Sequence, residues 1–135
     1  MNRKYLFLYT SGRGKRIALL KNGEAPVDFL YGYTVFKEKG ADVDYLETDL
    51  MTPKKASLKY WILRKKNRKF SRYIGIGNRS HYYVGSIDYL NRFNVLIATN
   101  DSIALGLLHH KVEGRLEPKI VYLNMGLGGV LERSK

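Results

Sequence analysis

Apolar residues along this chain come in two spacings. Val95-Leu96-Ile97-Ala98-Thr99 is a continuous run of the kind a strand buried on both faces presents. The pattern then changes at once. Asn100, Asp101 and Ser102 are residue types that cap helix starts, and Ile103, Leu105, Leu107, Leu108 and Val112 follow at broadly helical spacing. Gly114 closes that helix, Pro118 prevents its continuation, and Ile120 to Leu123 form another apolar run. This predicts a strand–helix–strand unit of about the minimum length for a right-handed parallel crossover.

The rest of the chain repeats the theme. Lys4 to Thr10 reads as a first strand, rich in aromatics, with a short helical piece over Ile17 to Lys21. Pro26 suits the first turn of a helix from Val27 to about Lys39, its apolar face made by Phe29, Leu30, Tyr33, Val35 and Phe36, with Gly32 inside it and Gly40 at its end. Ala41 to Thr48 alternates as a second strand with Val43, Tyr45 and Leu46 inward. A helix from Ala56 to Phe70 carries the stripe Leu58, Trp61, Ile62 and Leu63, resumed at Phe70, Tyr73 and Ile74. Arg72 to Asn78 then reads as a short central strand, and Ser80 to Asn91 as a further helix. Together these predict an α/β fold: a Rossmann-like, doubly wound, mostly parallel sheet with helices on both faces, forming a single domain over residues 1–135.

Composition changes this picture little. A chain of 135 residues buries a core of its own. No apolar run approaches the ~20 residues that cross a bilayer, and the start carries no cleavable signal pattern. Cysteine is absent and the three histidines show no metal-ligand spacing, so disulfide, thiol and metal chemistry are not expected. A cytoplasmic protein, peripheral at a membrane, fits these facts.

Charge changes it more. The net charge is +12, yet nine cations lie between Lys54 and Arg72, and without them it falls to +3. They are Lys54, Lys55, Lys59, Arg64, Lys65, Lys66, Arg68, Lys69 and Arg72, with no acid from Leu50 to Ile87. On a helix this is either a solvated face or a surface for polyanions. Trp61 and Tyr60 beside the lysines suit an anionic bilayer, where each cation contributes on the order of 1 kcal/mol. Nucleic acid is the alternative partner.

On the predicted topology four polar loops meet along the carboxyl edge of the sheet, where open parallel sheets bind ligands. Ser11-Gly12-Arg13-Gly14-Lys15 follows the first strand and has the glycines and cations of a phosphate cradle, without the spacing of a nucleotide signature. Asn78 and His81 stand in the second loop, Asn100, Asp101 and Ser102 in the third, and Gly126 in the fourth. Asp101 suits either a hydrogen bond from an acceptor hydroxyl or the N-cap of the following helix.

Tyr5–Thr10, then Gly23-Glu24-Ala25-Pro26-Val27-Asp28-Phe29-Leu30-Tyr31-Gly32, then Val95 to Ser102 and Lys119 to Leu127 carry a further message in their order and spacing. Over nearly its whole length the chain resembles the amino-terminal domain of family-4, GT-B-type glycosyltransferases. The resemblance implies half of a GT-B fold, receiving a sugar or lipid-linked acceptor and touching the membrane through its basic helix. Asp101 is the candidate catalytic residue from its own chemistry, as the group able to accept a hydrogen bond from an acceptor hydroxyl. The resemblance also implies that the nucleotide-sugar donor is held not by this chain but by a carboxy-terminal domain or separate subunit. Many such enzymes have a histidine near the reacting sugar, where this chain has Asn100-Asp101 after its strand.

Two other classes compete. A nucleic-acid-binding α/β protein would use the basic segment as its footprint, though no RNA-recognition motif is present. A flavodoxin-like or receiver-like domain is the other. Receiver chemistry wants acids after the first strand, and Ser11-Gly12-Arg13 has none.

Overall fold

A computed structural model of the chain describes residues 3–24, 30–53 and 56–123. Four strands form one all-parallel sheet: β1 (Lys4–Tyr9), β2 (Asp42–Glu47), β3 (Val95–Ala98) and β4 (Lys119–Tyr122), in the order β2-β1-β3-β4. The sheet is Rossmann-like, and its strand order reverses between β1 and β3. The carboxyl ends of those two strands therefore flank the crevice that such sheets offer to ligands.

Successive residues of a strand point to opposite faces, and each face here is covered. Leu6, Leu8, Leu96 and Ala98 pack against Ile103 and Leu107 of α5 (Asp101–Val112), with Tyr83, Leu90 and Leu116. Phe7, Tyr9, Val95 and Ile97 pack on the other side against Ile17 of α1 (Arg13–Lys21) and Tyr33 of α2 (Tyr33–Glu38). That second core is aromatic. Phe7 meets Tyr33 and Phe36 edge-on at 5.8 and 5.6 Å, contacts of about 0.5–1.5 kcal/mol each beyond the area they bury. Continuous apolar strands and helices on both faces have one cause: nothing in the centre of the sheet meets water.

Three predicted elements take a different form. The central strand over Arg72–Asn78 does not exist. α3 (Leu58–Ile74) runs straight through its first half, and Gly75, at φ 76°, ends that helix in the left-handed conformation glycine tolerates. Of the helix expected from Val27 to about Lys39, the described residues form α2 from Tyr33 to Glu38, and Gly32, at φ 90°, precedes its first turn instead of lying inside the helix. Residues 26–29 of that prediction lie outside the described residues. The helix expected over Ser80–Asn91 is a 3₁₀ turn, Ser80–Tyr83, and a separate short helix α4 (Ile87–Leu90), divided around Gly85.

Two helices also bury other faces than their apolar stripes suggest. In α3 the buried residues are Tyr60, Leu63 and Asn67, while Leu58, Trp61 and Ile62 stay exposed. In α5 they are Ile103, Gly106, Leu107 and His110, while Leu108 and Val112 face out. The reason lies under the sheet edge. A Cβ on Gly106 would come within 2.8 Å of the Arg79 carbonyl carbon and the Ser80 nitrogen, so only glycine lets α5 approach the 3₁₀ turn this closely. One turn further, buried His110 Nε2–H donates to the Ser80 carbonyl at 2.8 Å. A carbonyl only accepts, which fixes the proton on Nε2.

Gly106→Ala tests this seating. Alanine gains up to about 1 kcal/mol of helix propensity, but overpacking against backbone atoms costs about 1–3 kcal/mol. A net loss of roughly 1–2 kcal/mol in urea-denaturation stability is expected, with shifted amide resonances at Arg79 and Ser80.

Candidate functional site

The structure connects the carboxyl-edge loops through one arginine. Arg79 donates from Nη1 to the Asp49 carboxylate at 2.5 Å and to Thr48 Oγ1 at 3.2 Å, just after β2. Its Nε donates to Ser102 Oγ at 3.0 Å, its backbone N–H to the Ser102 carbonyl at 3.1 Å, and its guanidinium lies 5.5 Å from the Tyr82 ring centroid. Ser102 Oγ donates in turn to Asn100 Oδ1 at 3.0 Å, the same oxygen that accepts the Ile103 N–H. Asn100 is therefore the N-cap of α5. Asp101 is not: it begins the helix, and its carboxylate accepts the hydroxyl of Tyr122 on β4.

The glycine loop after β1 is not a vacant phosphate cradle. Pairing of Tyr9 with Glu47 in the β1–β2 ladder brings two carboxylates to it. Glu47 accepts the N–H groups of Gly12 and Gly14 at 3.2 and 2.5 Å, and Asp49 accepts that of Ser11 at 3.1 Å. The positive end of α1 is thus already neutralised from within. A phosphate there would meet two negative charges. Burial pushes the Asp49 carboxyl up, but the Ser11 hydroxyl and the Arg79 guanidinium, with the Ser11 N–H adding to them, outweigh it and hold it below the usual carboxylate range. Of the loop cations, Arg13 lies 5.7 Å from the Tyr31 ring centroid and Lys15 is exposed in the first turn of α1.

A cleft of about 420 Å³ opens on the other side of Arg79. α3 supplies Arg64, Asn67, Arg68 and Ser71, one face of the helix at spacings of three and four. The loop from Gly77 to Tyr82 supplies the opposite wall, with Asn78 and His81, and Ser102 stands at its edge. Among the described residues no carboxylate lines it. Asn67 is the residue that joins the walls: its buried amide donates to Ser80 Oγ at 2.9 Å and to His81 Nδ1 at 3.0 Å. A nitrogen that accepts carries no proton, so His81 is the neutral Nε2–H tautomer. Burial lowers its pKa first, and the charges of Arg64 and Arg79 lower it further. Asn78 braces the loop by accepting the Ser80 N–H at 2.9 Å.

Of the residues singled out in the sequence, Asn78, His81, Asn100 and Ser102 are gathered around Arg79, Ser11 is linked to it through Asp49, and Gly12 and Gly14 are held by Glu47 instead. Gly126, Lys54 and Lys55 lie outside the described residues. Lys59 is set apart from the polyanion group, because it pairs with Glu113 at 3.6 Å. The remaining cations of α3 (Arg64, Lys65, Lys66, Arg68, Lys69 and Arg72) are exposed, as are Leu58, Trp61, Ile62 and Tyr73 among them. Sequence reasoning missed Arg79, Asn67 and the two carboxylates. Asn67 left a trace: it is a polar residue at the helical spacing of Tyr60, Leu63 and Ile74. Among the described residues no group of three or more His, Cys, Asp or Glu side chains is placed to hold a metal ion, and no described helix is long and apolar enough to cross a membrane.

The neutral state of His81 has a direct check. Its imidazole should titrate below about 6.5 by proton NMR, and Arg64→Gln should raise that pKa, since a lost positive charge favours the imidazolium. An unchanged or lowered value in the variant would mean that the Arg64 charge does not reach the ring.

Comparison with known proteins finds no matching family model, no matching curated protein and no matching solved structure. Function has to be read from this edge of the sheet.

Proposed function

We propose that the chain is the acceptor-binding half of a glycosyltransferase, working at a membrane surface and inactive without a donor-binding half. The observation that carries this reading is the placement of the cationic cleft. It lies at the carboxyl edge of a Rossmann-like parallel sheet, with one wall formed by a helix whose outer face mixes cations with exposed apolar side chains. The order and spacing of the motifs from Tyr5 to Ser102 and from Lys119 supports the same family. In this reading the cleft receives the acceptor, Arg79 and His81 orient it, and Asp101 stands at the start of α5 beside Tyr122. The nucleotide-sugar is held by a further domain or a separate subunit.

Nucleic acid is the second reading, favoured by the six exposed cations of α3. Residue exposures of 76% at Leu58, 46% at Ile62 and 88% at Tyr73 among those cations favour a bilayer, into which apolar groups and ring faces insert.

Transfer assays with labelled nucleotide-sugars and membrane lipid decide the matter. The chain alone should give no transfer, and adding a GT-B donor-binding half should restore it on vesicles. Turnover by the isolated chain would contradict the proposal. So would co-sedimentation with RNA in preference to anionic vesicles.

A further inference from the structure

We infer that the cleft between α3 and the Gly77–Tyr82 loop is a site for a phosphomonoester, held by Arg64, Arg68 and Arg79. The inference rests on the acceptor-side reading of the cleft and adds the chemical class of the acceptor. Charge is its first support. Three guanidinium groups line the space, and among the described residues the one carboxylate paired with them, Asp49, is bound to Arg79 outside the lining. The balance is about two positive charges, which a phosphomonoester of charge about −1.5 to −2 at neutral pH matches and a phosphodiester of −1 does not. Among the described residues, neither Arg64 nor Arg68 pairs with a carboxylate, so both forks are open to phosphate oxygens.

The second support is the neutral donor set. The Asn78 amide lines the same space, and a neutral His81 adds an N–H without a further charge, whereas the hydroxyl protons of Ser71 and Ser102 are held by the Asn67 carbonyl and Asn100 Oδ1. Glu47 and Asp49 meanwhile occupy the glycine loop, so an anion arriving at this edge meets acids there and cations here. Third, Arg64 and Arg68 also line a neighbouring cleft of about 370 Å³ with Trp61 and Lys65, and the Arg64 guanidinium lies 5.2 Å from the Trp61 ring centroid. The group esterified to the phosphate can therefore leave across the two arginines toward Trp61, on the exposed face of α3. That exit suits a phosphate borne by a lipid as well as a free phosphate ester.

Trp61 is the chain's one tryptophan, which makes its emission a local probe. Glycerol 3-phosphate, and vesicles of phosphatidylcholine doped with either phosphatidic acid or phosphatidylglycerol at matched surface charge, are titrated into the full chain. Wild type is compared with Arg68→Gln and with Lys69→Gln, an equal charge change at an exposed position outside both clefts. Saturable binding of glycerol 3-phosphate, weakened about tenfold or more by R68Q and less than about twofold by K69Q, is expected and assigns the site to a free ester. Preference for phosphatidic acid over phosphatidylglycerol, lost in R68Q and kept in K69Q, supports the site equally and assigns it to a lipid-borne phosphate. Equal losses in R68Q and K69Q, or no discrimination between the two lipids together with no binding of the free ester, overturn it. Both substitutions are at exposed positions, and amide spectra confirm that each variant folds. Failure here leaves the transfer assay with a donor-binding half unaffected, so the two readings can fail separately.

Discussion

The carboxyl edge of this sheet depends on where Arg79 puts its charge. One guanidinium joins the end of β2, through Thr48 and Asp49, to the start of α5, through Ser102. Charge-assisted bonds of this kind contribute about 1.5–3 kcal/mol each when solvent is limited, and the Arg79 side chain is 24% exposed. The turn that carries it is held from beneath by the Gly106 contact, the His110 bond to the Ser80 carbonyl and the Asn67 bond to Ser80 Oγ. Three elements thus set the position of one side chain, and that side chain separates an acid-filled loop from a cationic cleft.

α3 serves two surfaces at once. Its inner face places Tyr60, Leu63 and Asn67 against the body of the protein, and its outer face presents Leu58, Ile62 and Tyr73 among lysines and arginines. Arg64 and Arg68 stand between the two, lining clefts on both sides. A ligand that begins on the outer face and ends at Arg79 never has to leave guanidinium contact. This continuity, rather than the number of cations, distinguishes the helix from an ordinary solvated basic face.

Much of the fold was legible because burial on both faces leaves a plain mark. The continuous runs of β1 and β3 and the β3–α5–β4 crossover could be read from apolar pattern and caps alone. The Arg72–Asn78 segment could not. Tyr73-Ile74-Gly75-Ile76-Gly77 alternates like a strand, yet Ile74 completes a helical face that starts at Tyr60, and only the tertiary seat of α3 decides between them. The candidate site was legible as a place and not as a mechanism. Asn78, His81, Asn100 and Ser102 were found because loops at that edge converge, whereas the plugging of the glycine loop depends on the register that sets Tyr9 opposite Glu47. No local pattern encodes a register between strands over 30 residues apart.

The separation of the acid-filled loop from the cationic cleft is open to one direct measurement: an amide NMR titration of the chain with inorganic phosphate. Shifts confined to Arg64–Ser71 and Gly77–Tyr82, with Ser11, Gly12 and Gly14 silent, are the predicted result. Shifts concentrated at Ser11, Gly12 and Gly14 would contradict it, because Glu47 and Asp49 would then have yielded the glycine loop to the anion.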